Sequence, residues 1–187
     1  MRNNIKQALV LAGGKGMRLR PYTTVLPKPM MPIDNMPILE IVFRQLKSYG
    51  FESVILAVGY MEHLFRAYFG NGQKFGINIS YSIEDKPLGT AGPLSLVIDK
   101  LEEDFLVMNG DLLTTINYEE LSNFHLKNSA SATIALHQRS VDIDYGVIKH
   151  NKNNICYDPI FISSSICKCR GIKRYRFSTS NLHKNVF

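Results

Sequence analysis

Residues 11–32 decide how this chain is read: Leu11-Ala12-Gly13-Gly14-Lys15-Gly16-Met17-Arg18-Leu19-Arg20-Pro21, then Pro27-Lys28-Pro29-Met30-Met31-Pro32. The apolar run from Ala8 to Leu11 ahead of them reads as a first buried strand, so the glycines fall where backbone amides can turn toward an anion. Two separated cations flank the turn. Arg18 offers a rigid fork for phosphate oxygens, and Lys28, held between Pro27 and Pro29, offers a compact charge on a backbone with little freedom. The arrangement suits a triphosphate.

Two common nucleotide motifs are excluded. A dinucleotide fingerprint G-x-G-x-x-G needs glycine at position 19, which is Leu19, and the P-loop pattern needs a Gly-Lys-Ser/Thr that does not follow. A dehydrogenase-like dinucleotide binder is disfavoured on that ground.

The remaining pattern resembles the sugar-1-phosphate nucleotidyltransferase family, whose signature is a strand, Gly-Gly-x-Gly-(Thr/Met)-Arg-Leu-x-Pro and a Pro-Lys-Pro about ten residues on. Further matches follow in the family's order: Leu56-Ala57-Val58-Gly59-Tyr60, then Glu84 to Gly92, then Met108-Asn109-Gly110-Asp111, then Tyr145-Gly146-Val147-Ile148. The resemblance covers about residues 6–155. Met17 and Gly-Asp-Leu-Leu-Thr at 110–114 point, within the family, to bacterial guanylyltransferases that activate hexose or glucosamine 1-phosphates for surface glycans.

The resemblance implies an enzyme that transfers a nucleotidyl group from a nucleoside triphosphate to a sugar 1-phosphate. It implies nucleotide contacts along Leu11, Ala12, Gly13, Gly14, Gly16, Gly89 and Thr90, catalytic roles for Arg18 and Lys28, a Mg²⁺ ligand in Asp111 and sugar contacts at Tyr145 and Gly146. Chemistry supports these assignments: such a transfer needs positioning and charge neutralisation more than a protein nucleophile. Asp111 alone would read as a turn or N-cap aspartate, and its place after a buried strand in the whole pattern makes it a candidate metal ligand. Glu84 stands where relatives that read uracil or thymine often carry Gln. A carboxylate accepts from both N1–H and N2–H of guanine, so GTP is favoured, and a solvated loop acid is the equal alternative for the same residue.

Composition bounds the rest. The chain has 187 residues, enough for one domain with a substantial core, and a net charge of +6. Residues 1–155 hold 16 basic and 15 acidic side chains, net +1, whereas residues 156–187 hold 6 and 1, net +5. The basic character is therefore a property of the tail, and no nucleic-acid partner is expected. All three cysteines, Cys156, Cys167 and Cys169, also lie there, without a disulfide framework or convincing zinc spacing. No segment approaches the ~20 apolar residues of a membrane span, and no signal-peptide core is present. The expected setting is cytoplasmic, with nucleoside triphosphate and sugar 1-phosphate as partners, no membrane, and a homo-oligomer left open.

Short β-rich runs alternating with helical patterns predict an α/β fold, a Rossmann-like doubly wound three-layer domain that is incomplete at its C-terminal side. Strands are expected at 8–11, 53–58, 77–83, 105–108, 132–136 and 145–149. Helices are expected from Pro37 to Gly50 with a stripe of Ile38, Ile41, Val42, Gln45 and Leu46, over 61–69, partly over 90–100, and from Asn117 to about Lys127. A turn is expected at 151–154.

Residues 1–155 thus read as the N-terminal part of a catalytic domain and 156–187 as an atypical basic tail, frameshifted or disordered. After Ile155 the family's Glu-Lys-Pro segment, Val-Asn-Ala-Gly strand and second metal-binding aspartate do not appear. If Cys167-Lys168-Cys169-Arg170-Gly171 is encoded TGT-AAA-TGC-AGG-GGN, reading one base later yields Val-Asn-Ala-Gly. These codons are one choice among synonyms, so coincidence is the competing explanation. The expectation is a family enzyme impaired in this chain, with its final sheet edge exposed; the alternative is an inactive nucleotide- or partner-binding remnant.

Overall fold

A computed structural model describes residues 5–14, 16–86, 88, 89 and 91–137, and the backbone of 161–168. The elements in chain order are β1 (Gln7–Leu11), β2 (Pro32–Ile33), β3 (Met36–Pro37), α1 (Ile38–Ser48), β4 (Ser53–Val58), α2 (Glu62–Phe69), β5 (Asn78–Ile83), α3 (Gly92–Ser95), β6 (Asp104–Asn109), α4 (Tyr118–Asn128), β7 (Ala132–His137) and β8 (Phe161–Lys168). Six strands form one sheet in the order β5-β4-β1-β6-β8-β7, and β2 pairs with β3 in a small separate ribbon.

The first four strands of that order are parallel, with Val10 opposite Leu56 on β4 and Met108 on β6. A central parallel strand is buried on both faces, which explains why β1 reads as a continuous apolar run. Ala8 and Val10 face the larger core with Val54, Leu56, Leu106 and Met108, against Leu39, Val42, Phe43 and Leu46 of α1, Phe65 and Phe69 of α2, and Tyr118 of α4. Leu9, Ile55 and Ala57 face the other way, where Val97, Leu94 and Leu101 cover them. Helical layers therefore lie on both sides of the sheet, as the sequence predicts.

The helix α1 is where the sequence reading needs correction. Its core face is Leu39, Val42, Phe43 and Leu46, whereas Ile41 and Gln45 are only half-buried. The i, i+3, i+4, i+7 set containing Phe43 buries more apolar surface, and Phe43 meets Phe69 edge-to-face with ring centroids 5.1 Å apart. Pro37 is not the first helical residue. Its extended backbone (φ −57°, ψ 144°) makes it the N-cap and places it at the end of β3.

The start of α4 follows its sequence closely. Asn117 accepts through its side-chain oxygen from the backbone N–H groups of Glu119 and Glu120, and its amide donates to the Glu120 carboxylate at 3.0 Å. Such a cap is worth about 1 kcal/mol.

Beyond β6 the sheet continues to an edge at β7. β8, drawn from the segment set apart as a tail, runs antiparallel between β6 and β7. The predicted strand at 145–149 and turn at 151–154 lie outside the described residues.

The topology positions the site. The chain builds outward from β1 through β4 to β5, then crosses back to place β6 on the opposite side of β1. At that reversal the loops leaving β1 and β6 diverge and open a crevice at the carboxyl ends, where Leu11 pairs with Asn109.

Candidate active site

The crevice is a cavity of about 850 Å³. Of the residues singled out in the sequence, Leu11, Ala12, Gly13, Gly14, Gly16, Arg18, Lys28, Glu84, Gly89 and Asp111 all line it. Thr90, Tyr145 and Gly146 lie outside the described residues.

Three backbone hydrogen bonds bring the segments together. Ala12 N–H donates to the Ala57 carbonyl at 2.7 Å, Glu84 N–H to Val58 at 2.9 Å and Gly110 N–H to Leu11 at 2.9 Å, each continuing a strand pair by one step. The loops after β1, β5 and β6 thereby start from one rigid edge. A site built this way inherits its precision from the sheet.

Lys28 owes its position to its neighbours. Pro27, Pro29 and Met30 are buried, Met30 in the larger core, so the 3-10 turn Lys28–Met30 is anchored on both sides of the lysine. Its ammonium reaches across the crevice to the Asp111 carboxylate, 2.5 Å away, with both side chains partly exposed. Arg18, in the 3-10 turn Met17–Leu19, is exposed at the cavity wall and forms no ion pair among the described residues.

Glu84 also lines the cavity. A Cβ added to Gly13 would sit 2.8 Å from Glu84 Oε1, so any larger residue there would require this carboxylate to shift. Glu84 Oε2 accepts from the Leu88 N–H at 3.3 Å, which turns the carboxylate toward the 88–89 loop.

Sequence reasoning missed Met17, Leu19, Pro29, Pro93 and Asn109, which also line the cavity. It also missed two supports. Thr23 is 3% exposed and donates its hydroxyl to the Gly16 carbonyl at 2.9 Å, and Gln45 donates its amide to the Thr114 carbonyl at 2.8 Å, tying α1 to the segment after Asp111. Asn109 was accessible from its place beside Gly110-Asp111, whereas Thr23 carries no periodic or motif signal of its own, and the place of Gln45 in the helical stripe gives no sign of its bond to Thr114.

Among the described residues no group of three or more His, Cys, Asp or Glu could hold a metal unaided. Asp111 presents a single hard oxygen donor group at the cavity, which fits a small divalent cation that takes its remaining ligands from phosphate oxygens and water.

Comparison with known proteins agrees with this architecture. The Nucleotidyl transferase family model matches residues 7–158. The D-glycero-alpha-D-manno-heptose 1-phosphate guanylyltransferase of Aneurinibacillus thermoaerophilus is 34% identical over 194 residues, covering 95% of this chain and 84% of the relative, so the likeness continues beyond Ile155. A mannose-1-phosphate guanylyltransferase of Mycobacterium tuberculosis is 42% identical over 130 residues, and the chain spans only 36% of that relative. Among solved structures, HddC from Yersinia pseudotuberculosis complexed with GMP-PN superposes with a TM-score of 0.73 at 23% identity, covering 97% of this chain and 87% of that one, which establishes likeness of fold. With its signature loop, its sheet order and a family match over most of its length, the chain belongs to the nucleotidyl transferase family.

Proposed function

We propose that the site serves nucleotidyl transfer from GTP to a sugar 1-phosphate, yielding a nucleoside-diphosphate sugar and pyrophosphate. The observation that carries this is the convergence of Arg18, Lys28, Asp111 and Glu84 on one crevice at the switch point of the sheet. An acceptor phosphate oxygen forms a bond to the α-phosphorus as the bond from that phosphorus to the α,β-bridging oxygen breaks, and the β,γ-pyrophosphate leaves with that oxygen. Negative charge accumulates on the departing pyrophosphate.

Arg18, exposed beside the glycine loop, would hold those leaving oxygens, and Lys28 would neutralise charge between the α-phosphate and the acceptor. Asp111 would hold a divalent cation, Mg²⁺ by its hard oxygen chemistry, which when bound neutralises phosphate charge. Leu11, Ala12, Gly13, Gly14, Gly16 and Gly89 bring backbone to the nucleotide, and Glu84 accepts from the guanine edge. The names of the relatives above agree with guanine as the base and with a heptose or hexose 1-phosphate as the acceptor class. Thr90, Tyr145 and Gly146 keep their proposed nucleotide and sugar contacts, and the reaction is placed in the cytoplasm.

Residues 156–187 belong to the same proposal as a segment lacking the acceptor-binding lysine and second aspartate. The gene's nucleotide sequence tests this: a Val-Asn-Ala-Gly strand in the adjacent frame supports it, and its absence refutes the frameshift. The function itself is tested by calorimetric binding of GTP, UTP and dTTP with Mg²⁺, followed by pyrophosphate release with hexose and heptose 1-phosphates. Binding of GTP at least tenfold tighter than the other two supports the assignment. Equal affinity for all three removes the base assignment, and GTP binding without turnover in a frame-restored chain favours a nucleotide-binding remnant.

A further inference from the structure

Thr23 lies outside the cavity lining, yet it touches the part of the loop on which Arg18 depends. Its hydroxyl donates to the Gly16 carbonyl at 2.9 Å, and the Leu19 N–H donates to the same oxygen, also at 2.9 Å. Gly16 has left-handed backbone (φ +57°), and a Cβ built on it would lie 2.9 Å from Thr23 Cγ2 and 3.4 Å from Lys28 Cβ. Gly16 is thus wedged between Thr23 and the backbone turn that carries Lys28. Thr23 itself is 3% exposed.

From this geometry we infer that Thr23 is a positioning residue for triphosphate binding, which locks the Gly16 turn so that Arg18 and Lys28 are held at a fixed separation. Two physical effects follow from the one hydrogen bond. A carbonyl oxygen in a phosphate-binding loop repels the anion if it rotates inward, and the Thr23 hydroxyl keeps the Gly16 carbonyl turned toward the protein. A glycine in left-handed backbone has neighbouring conformations of similar energy, and the same bond selects one of them. With the bond present, the two cations meet the phosphates without first being ordered, so less entropy is lost on binding. Arg18 and Lys28 act on phosphate according to the function proposed above, and the role of Thr23 rests on that proposal.

The test uses the full chain and measures calorimetric binding of GTP with Mg²⁺ and of inorganic tripolyphosphate, well below the melting temperature of each variant. Thr23→Val removes the hydroxyl with little change of shape, and loss of one such bond is expected to weaken both ligands roughly 3- to 10-fold. Thr23→Ser keeps the hydroxyl and is expected to bind within about twofold of the parent. In an Arg18→Ala background the effect of Thr23→Val is expected to shrink to less than half, because the residue acts through the arginine.

Should Thr23→Val fail to fold, Gly16→Ala provides the second measurement. Its new methyl collides with Thr23 Cγ2, so adding Thr23→Ser, which deletes that carbon, should recover part of the lost affinity. Equal affinities of parent and Thr23→Val, equal losses in Val and Ser, or no recovery in the double variant would each overturn the inference while leaving phosphate binding intact. A parent that binds neither ligand overturns both the inference and the function beneath it.

Discussion

Lys28 Nζ and a carboxylate oxygen of Asp111 lie 2.5 Å apart, so the two strongest candidates for handling phosphate and metal neutralise each other across the crevice. The pair joins the β1 loop to the end of β6, and a triphosphate must take Lys28 from Asp111 before it gains that charge. A cation on Asp111 would free the lysine, which couples metal and nucleotide binding.

That coupling gives Asp111→Asn effects of opposite sign in two assays. Binding of metal-free tripolyphosphate should tighten about 3- to 10-fold because Lys28 is released, as for loss of one charged competitor. Pyrophosphate release by a frame-restored chain with Mg²⁺ should fall on the order of 10²-fold or more, the usual cost of removing a charge-stabilising group. Lys28→Ala should weaken metal-free binding and also lower turnover by a similar factor. Calorimetry and a coupled pyrophosphate assay read these effects, and unchanged turnover in both variants would exclude the proposed mechanism.

Base choice is predicted to rest on Glu84. In the frame-restored chain Glu84→Gln should reduce the preference for GTP over UTP and dTTP by about tenfold, since an amide both donates and accepts where the carboxylate only accepts. Gly13→Ala should act in the same direction, because its methyl would fall 2.8 Å from Glu84 Oε1 and push the carboxylate aside. Competition between the three triphosphates measures both, and an unaltered ratio in Glu84→Gln would remove it from base reading.

What the sequence makes legible here is whatever local chemistry decides. The β1 run, the glycine turn, the proline-flanked Lys28 and the Asn117 cap each carry their cause within a few residues, and the structure places them accordingly. The face of α1 is decided by Phe69 and Phe75, far along the chain, so Phe43 displaced Ile41 from the core face. Thr23 and Gln45 act through backbone carbonyls at Gly16 and Thr114, contacts that no periodicity encodes. The pairing of β8 with both β6 and β7 is likewise a long-range event, invisible in a segment whose composition departs from the family pattern.

A pH dependence of stability is predicted from Glu40, buried in the first turn of α1. Burial alone would raise its pKa, but hydrogen bonds from Arg44 (2.6 and 2.9 Å) and Tyr68 (2.8 Å) outweigh it and hold the carboxyl below its ordinary range. A lowered folded-state pKa stabilises the fold above the unfolded value, about 4.3, and that contribution disappears as pH falls through the lower folded value. Glu40→Gln should therefore cost about 1–3 kcal/mol at pH 7, and the gap to the parent should narrow below about pH 4. Urea titrations from pH 7 to 3 measure this; a gap constant across that range would show that the charge of Glu40 contributes nothing.

The chain as it stands is predicted to bind triphosphate but to turn over poorly. Arg18, Lys28 and Asp111 share the crevice, so the donor nucleotide has partners. Residues 156–187 contain no Glu-Lys-Pro segment, and on the proposed function the lysine of that segment would hold the acceptor phosphate. Orientation of two reactants contributes about 7–11 kcal/mol to lowering a barrier, and an acceptor held by one end forfeits much of it. Calorimetry with GTP should thus give a saturable isotherm, while pyrophosphate release with hexose or heptose 1-phosphates should stay at least 10³-fold below that of a frame-restored chain, a modest fraction of that contribution. Comparable rates in the two chains would mean that residues after Ile155 supply the missing groups, and the strand they place between β6 and β7 would be the first place to look for them.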